Sequence, residues 1–145
     1  MQLTVHTDYA LRVLLYLAHF PERRVSTKEI SGAYGISKDH LVRVVQTLGD
    51  AGFVTVTVGR VGGVALARPL GEIRLGEVVR ATEASFRLVE CHDAASNTCP
   101  IVPVCGLKGL LDEALRAFLA ELDKHTLADM VKAESRTEFV QLLTG

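Results

Sequence analysis

The chain lacks the marks of several whole classes of protein. It has three cysteines in 145 residues, an odd number and too few to frame a secreted, disulfide-rich domain. No basic stretch followed by an apolar run and a small-residue cleavage site opens it, so no signal peptide is expected. The longest unbroken apolar stretch, Val13 to Ala18, is far too short to cross a bilayer. Net charge is nearly absent at −1, so charge summed over the chain selects no partner. Internal repeats, low-complexity tracts, phosphate-cradling glycine loops, nucleophile motifs and carboxylate pairs placed for acid–base work are also missing. What is left is a cytoplasmic chain about one domain long that is expected not to be an enzyme. Its composition, 48% hydrophobic and 23% charged, is that of an ordinary globular protein.

The charge is small but unevenly placed. Residues 1–80 carry ten Lys and Arg against seven Asp and Glu, and residues 81–145 carry six against ten. A basic front and an acidic back fit a phosphate-facing module joined to something else, or chance unevenness.

The apolar spacing predicts a first helix from about Thr7 to Phe20, capped by Thr7, with Asp8 at its positive end. Leu11, Leu14, Leu15 and Ala18 form its stripe. Ser26-Thr27-Lys28-Glu29 reads as a capping box, the Glu29 carboxylate returning to the Ser26 amide, and opens a short helix that stops at Gly35. Ser37 caps a third helix whose buried stripe is Leu41, Val44, Val45 and Leu48, ending near Ala51-Gly52. Two short helices joined by a tight glycine-containing turn outline a helix-turn-helix. Phe53 to Val58 then alternates as a strand, Gly59 to Gly63 turns, and Val64-Ala65-Leu66 returns. The fold expected is mainly α with a small β-wing, a winged helix-turn-helix over residues 1–68. Residues 69–145 form the second part, starting with a short helix from Leu75 to Thr82. A loop follows over residues 88–104, and then a long helix from Gly106. That helix carries Leu107, Leu110, Leu111, Ala114, Leu115, Phe118, Leu119 and Leu122 on one face. So long a stripe predicts dimerisation, the alternative being packing within one protomer.

If the third helix enters a major groove, its outward residues Lys38, Asp39, His40, Arg43, Gln46 and Thr47 face the DNA. Lys38 and Arg43 suit guanine or phosphate, Gln46 suits adenine, and Ser37 and Thr47 suit the backbone. Arg60, between Gly59 and Gly62-Gly63, is placed to reach a minor groove. The other reading is a solvated helix face and an ordinary hairpin turn.

Cys91, Cys99 and Cys105 share one loop, and no pair has the C-x-x-C spacing of a zinc knuckle or thioredoxin-like site. Clustered thiols on a loop bearing Pro100 and Pro103 suit a soft metal centre such as an iron–sulfur cluster. Cys105 stands where the long helix starts, a favourable place for a negatively charged sulfur. Incidental thiols and a structural zinc are the alternatives.

These segments, taken together, resemble the winged-helix iron–sulfur repressors, and especially their nitric-oxide-sensing members. The resemblance rests on Met1-Gln2-Leu3-Thr4, Thr7-Asp8-Tyr9, Ser37-Lys38-Asp39-His40, Ala51-Gly52-Phe53-Val54-Thr55 and Gly59-Arg60-Val61-Gly62-Gly63. The three cysteines with Leu107-Lys108, Glu121-Leu122-Asp123 and Thr126-Leu127-Ala128-Asp129 complete the set, which covers about residues 1–132. It implies a homodimer on a palindromic, double-stranded operator that represses nitrosative-stress genes. It also implies a [4Fe–4S] cluster, or alternatively [2Fe–2S], held by the three cysteines and attacked by nitric oxide. A same-fold regulator of iron–sulfur supply or oxidants is the alternative function. Related cluster-assembly regulators have a histidine three residues after the last cysteine, where this chain has Lys108. Three thiolates then require a fourth ligand: His92, Asp93, or His6 or Asp8 of the partner subunit. The expected one is Asp8, because dimers of this kind bring that N-terminus near the partner's cluster loop.

Overall fold

Thr4, not Thr7, caps the first helix. In the computed structural model, which describes residues 2–131 and 135–144, α1 spans Val5–His19 and the Thr4 hydroxyl accepts the Thr7 N–H at 3.3 Å. Thr7 itself is buried in the first turn of the helix. Two threonines three residues apart both fit a cap by type, and burial of Thr7 gives the exposed position to Thr4. Ala10, Val13, Leu14 and Leu17 make the buried face of α1.

Helix α2 spans Thr27–Tyr34 and ends at Gly35, whose φ of 65° is the left-handed conformation that glycine adopts freely. The Ser26 hydroxyl accepts the Glu29 N–H at 3.1 Å, but the other half of the expected capping box is not made. Glu29 instead accepts Arg23 Nη2 at 2.6 Å and the Tyr16 hydroxyl at 2.9 Å. A carboxylate beside a guanidinium and a phenol gains more from them than from one backbone amide. Helix α3 spans Lys38–Asp50, is capped by Ser37, and buries the four expected residues Leu41, Val44, Val45 and Leu48.

The wing is an antiparallel pair, β1 (Val54–Thr57) and β2 (Gly63–Leu66), in register from Val54 opposite Leu66 to Thr57 opposite Gly63. Val25 adds a two-bond bridge to Val64, at 2.9 and 2.8 Å, and so fastens the wing to the turn before α2. The first strand is shorter than the expected Phe53 to Val58, because its pairing with β2 runs only from Val54 to Thr57 and leaves a residue outside the ladder at each end. Gly62 is required there, since a Cβ would collide with the Thr57 carbonyl oxygen.

Helix α4 spans Leu75–Thr82, as the spacing predicts. The cysteine loop contains two short 3-10 turns, Glu90–His92 and Val102–Val104, before α5 at Gly106–Asp123. Two further helices follow that the sequence reading did not contain. Helix α6, Leu127–Met130, opens on a capping box between Thr126 and Asp129. Helix α7, Arg136–Thr144, lies against α2. Its Phe139 ring stacks on His19, centroids 3.8 Å apart. One core runs through α1, α2, α3 and the wing and takes in Ile73, Val78 and Leu127. Helix α5 contributes nothing to it and buries no residue. Among the described residues, no helix is long and apolar enough to cross a membrane.

Candidate nucleic-acid interface and metal centre

The core stripe of α3 fixes which side of that helix faces out. With Leu41, Val44, Val45 and Leu48 buried, Ser37, Lys38, Asp39, His40, Arg43 and Gln46 are exposed on the opposite side. Thr47 is different, being half-buried and doubly engaged. Its hydroxyl donates to the Arg43 carbonyl at 3.1 Å, and its oxygen lies 3.1 Å from His6 Nε2 on α1. A hydroxyl has one proton to give, so His6 Nε2 is the donor in the second bond. Tyr9, one turn further along α1, meets the edge of the His40 ring at 5.8 Å. Two side chains of α1 thus touch two of α3, a junction that type and spacing in the sequence did not reveal.

At the other end of the surface, Arg60 is exposed at the tip of the wing between Val58 and Val61, which are 94% and 89% exposed. The wing is held from behind by Arg24, whose Nη1 donates to the Gly63 carbonyl at 3.2 Å and more distantly to that of Thr55 at 3.4 Å. The pair of arginines in Pro21-Glu22-Arg23-Arg24 therefore divides its work: Arg23 goes to Glu29 and Arg24 to the wing.

The three cysteines are free and half-buried. Among the described residues, no three His, Cys, Asp or Glu side chains stand close enough to hold a metal ion, so one protomer does not bring its expected ligands together. The donor set nevertheless suits an iron–sulfur group: three reduced thiols lie on one loop, and Cys105 is the N-cap of α5. No side chain there accepts the free N–H groups of the first turn of α5, which leaves them available to negatively charged sulfur.

The candidate fourth ligands differ in how occupied they are. The His92 side chain is 7% exposed, and its Nδ1 accepts the Leu88 N–H at 3.2 Å. Its Nε2 lies 3.2 Å from Asp112 Oδ1, an ion-pair distance, but at an angle that makes no hydrogen bond, leaving that nitrogen unsatisfied. A neutral ring has one lone pair, already given to Leu88, so ligation would break that bond. Asp93 is fully committed, accepting from Ala95 N at 3.2 Å and Ser96 Oγ at 2.7 Å and pairing with Arg87 at 2.7 Å. Those two hydrogen bonds hold its carboxyl below the usual range. Asp8 is half-exposed and pairs with Arg12 across one helical turn at 2.8 Å, a contact that solvent keeps cheap to break. Lys108 Nζ bonds Asp112 at 2.9 Å, which raises its pKa, with a smaller contribution from Cys91. A protonated ammonium has no lone pair to ligate with.

The comparison with protein families decides the lineage. The profile of Rrf2, described as an iron-dependent transcriptional regulator, matches residues 3–133. The chain belongs to the Rrf2 family. Within it, this chain is 49% identical over 144 residues to the HTH-type transcriptional regulator NsrR of Bacillus subtilis, covering 99% of this chain and 97% of that protein. It is 47% identical over 135 residues to the regulator of the same name in Shouchella clausii, covering 92% and 91%. Among solved structures it resembles T. potens IscR, at TM-score 0.71 and 27% identity over 90% of this chain and 85% of that one. Oxidised Staphylococcus aureus CymR is similar at TM-score 0.69 and 26% identity, over 88% and 93%. The winged helix read from the sequence is therefore the Rrf2 winged helix, and the chain is a helix-turn-helix transcriptional regulator.

Proposed function

We propose that this Rrf2 chain is a homodimeric iron–sulfur repressor of nitrosative-stress genes, acting in the cytoplasm as a DNA-binding regulator and not as an enzyme. Residues 1–68 read the operator through Ser37, Lys38, His40, Arg43, Gln46 and the wing's Arg60, with Thr47 contributing from the edge of that face. Residues 69–145 carry the cluster loop and the dimer contacts. The observation that carries the reading is the juxtaposition of three free thiols with a long helix that buries none of its apolar stripe. Leu107 and Leu110 of α5 are 59% and 61% exposed. Leu111, Leu115 and Phe118 line an apolar groove with Leu3, Phe86 and Leu88. A second copy of the chain covers such a face.

Cys91, Cys99 and Cys105 would hold a [4Fe–4S] cluster, with [2Fe–2S] as the alternative, and Asp8 of the partner subunit would be the fourth ligand. When bound, the cluster supplies the iron at which nitric oxide reacts. The easily freed Asp8–Arg12 pair, set against the committed His92 and Asp93, supports that choice of ligand. What the chain does with the signal is mechanical. Asp8 lies between His6 and Tyr9 on α1, and these two contact Thr47 and His40 of α3. A change at Asp8 is therefore felt by the recognition helix. A 100-fold change in operator affinity requires about 2.7 kcal/mol of coupling, within the ordinary allosteric range.

The test is anaerobic purification of the full chain, with iron and sulfide counts, a visible spectrum and operator gel shifts before and after nitric oxide. The expected result is a coloured protein that leaves DNA at lower doses of nitric oxide than of oxygen. Colourless protein carrying zinc overturns the cluster. Faster release by oxygen replaces nitric oxide with the oxidant-sensing alternative.

A further inference from the structure

Val42 is the residue of α3 that neither the core nor the polar outward face accounts for. The helix's other large apolar side chains, Leu41, Val44, Val45 and Leu48, are at most 4% exposed, whereas Val42 is 47% exposed. It stands one helical turn after Lys38 and one before Gln46, so the three form a single outward row. Beside it, Val56 of β1 is also exposed and lines the same shallow groove between the helix and the wing. A β-branched residue held in water at the middle of a helix adds neither helix propensity nor burial. On a helix that lies in a major groove, it meets a surface with one apolar feature, the C5 methyl of thymine.

We propose that Val42 reads a thymine by methyl contact and so sets part of the operator sequence, between the bases read by Lys38 and Gln46. The inference rests on the DNA-binding reading and adds to it a base identity that the polar residues cannot supply. Lys38 and Gln46 discriminate through hydrogen bonds to guanine and adenine edges, and neither distinguishes thymine from uracil. A valine does, because the two bases differ by the methyl alone.

The experiment uses the full-length protein purified anaerobically and a random pool of DNA duplexes, from which the tightest-binding sequence is selected. Each thymine of that duplex is then replaced singly by deoxyuridine, and binding is measured for the wild type and for Val42→Ala. At one thymine of a half-site, deoxyuridine should weaken wild-type binding about fourfold, the worth of one buried methyl. Val42→Ala should bind the thymine duplex with that same loss and be indifferent to the replacement. If Val42→Ala responds to every deoxyuridine as the wild type does, the methyl contact is refuted while DNA binding stands. If no duplex is enriched from the pool, the DNA-binding reading itself fails. Val42 is half-exposed and alanine is the better helix former, so loss of folding does not confuse the outcome.

Discussion

Helices α3 and α5 have the same apolar periodicity and opposite fates. Helix α3 hides the four residues of its stripe in the core, while the 18-residue α5, with a longer stripe, buries none. Spacing decides that a face must be covered, because wet apolar surface costs about 25 cal/mol per Å². It does not decide what does the covering. For α3 the cover is α1, α2, α4 and the wing of the same chain. Helix α5 packs on α4, where Arg80 grips Asp123 at 2.6 Å, and its stripe is at most half-buried, with Leu107 and Leu110 exposed. The front of the chain covers its apolar stripe within one copy, and the back leaves its own open to the second copy proposed above.

The most severe way to break this comparison is to cut into the front. Leu48→Ala removes a fully buried side chain and should lower unfolding stability by about 2–5 kcal/mol, measured by urea titration. The counterpart in the back is Leu110→Lys. It should leave the far-ultraviolet spectrum unchanged and raise the dimer dissociation constant about 100-fold, or about 2.7 kcal/mol, read by sedimentation. A dimer that survives Leu110→Lys would place the covering surface elsewhere and remove the contrast between the helices.

Much of the front was legible for the same reason that it covers its stripe within one copy. The stripe of α3, the span of α4, the glycine stop of α2 and the order of wing strands all follow from local spacing and cap chemistry. Errors arose where a residue had two suitable partners. Thr4 and Thr7 compete for one cap, and Glu29 chooses a guanidinium from before the helix over its own amide. Thr47 stands at the edge of the outward face by position, and its oxygen also accepts from His6, 41 residues away, a pairing that no local pattern encodes. The thiols were legible as a set of donors. A common centre for them is not formed among the described residues of one protomer.

A smaller perturbation tests whether the wing works as an independent part of the front. Gly62→Ala drives a Cβ into the Thr57 carbonyl, while the core behind the wing is untouched. Operator affinity should fall about tenfold, or about 1.4 kcal/mol, with the urea midpoint nearly unchanged, as gel shift and titration together would show. Equal losses in both measurements would mean that wing and core fold as one unit.

The smallest effect concerns the polar fastening between α1 and α2, and it separates what charge contributes to the front from what apolar burial contributes. Arg23 holds the Glu29 carboxyl below the usual carboxylate range, against the opposing effect of desolvation. The fold therefore favours the ionised form. Its contribution is fully present above the unfolded value, about pH 4.3, and is lost as pH falls through the lower folded value. Because the pair is about one-third exposed or more, the contribution is only about 0.5 kcal/mol after solvent screening. Glu29→Gln should cost that much at pH 7 and nothing in strong acid, where both proteins are neutral at this position. Tyr16, raised to about 12 by burial and then by its bond to Glu29, supplies a second readout by ultraviolet titration. It should titrate lower in the glutamine variant while remaining above 10, because burial, the larger cause, is unchanged. A fall to the free-tyrosine value would mean that Glu29, and not the apolar packing around α1, keeps Tyr16 from water.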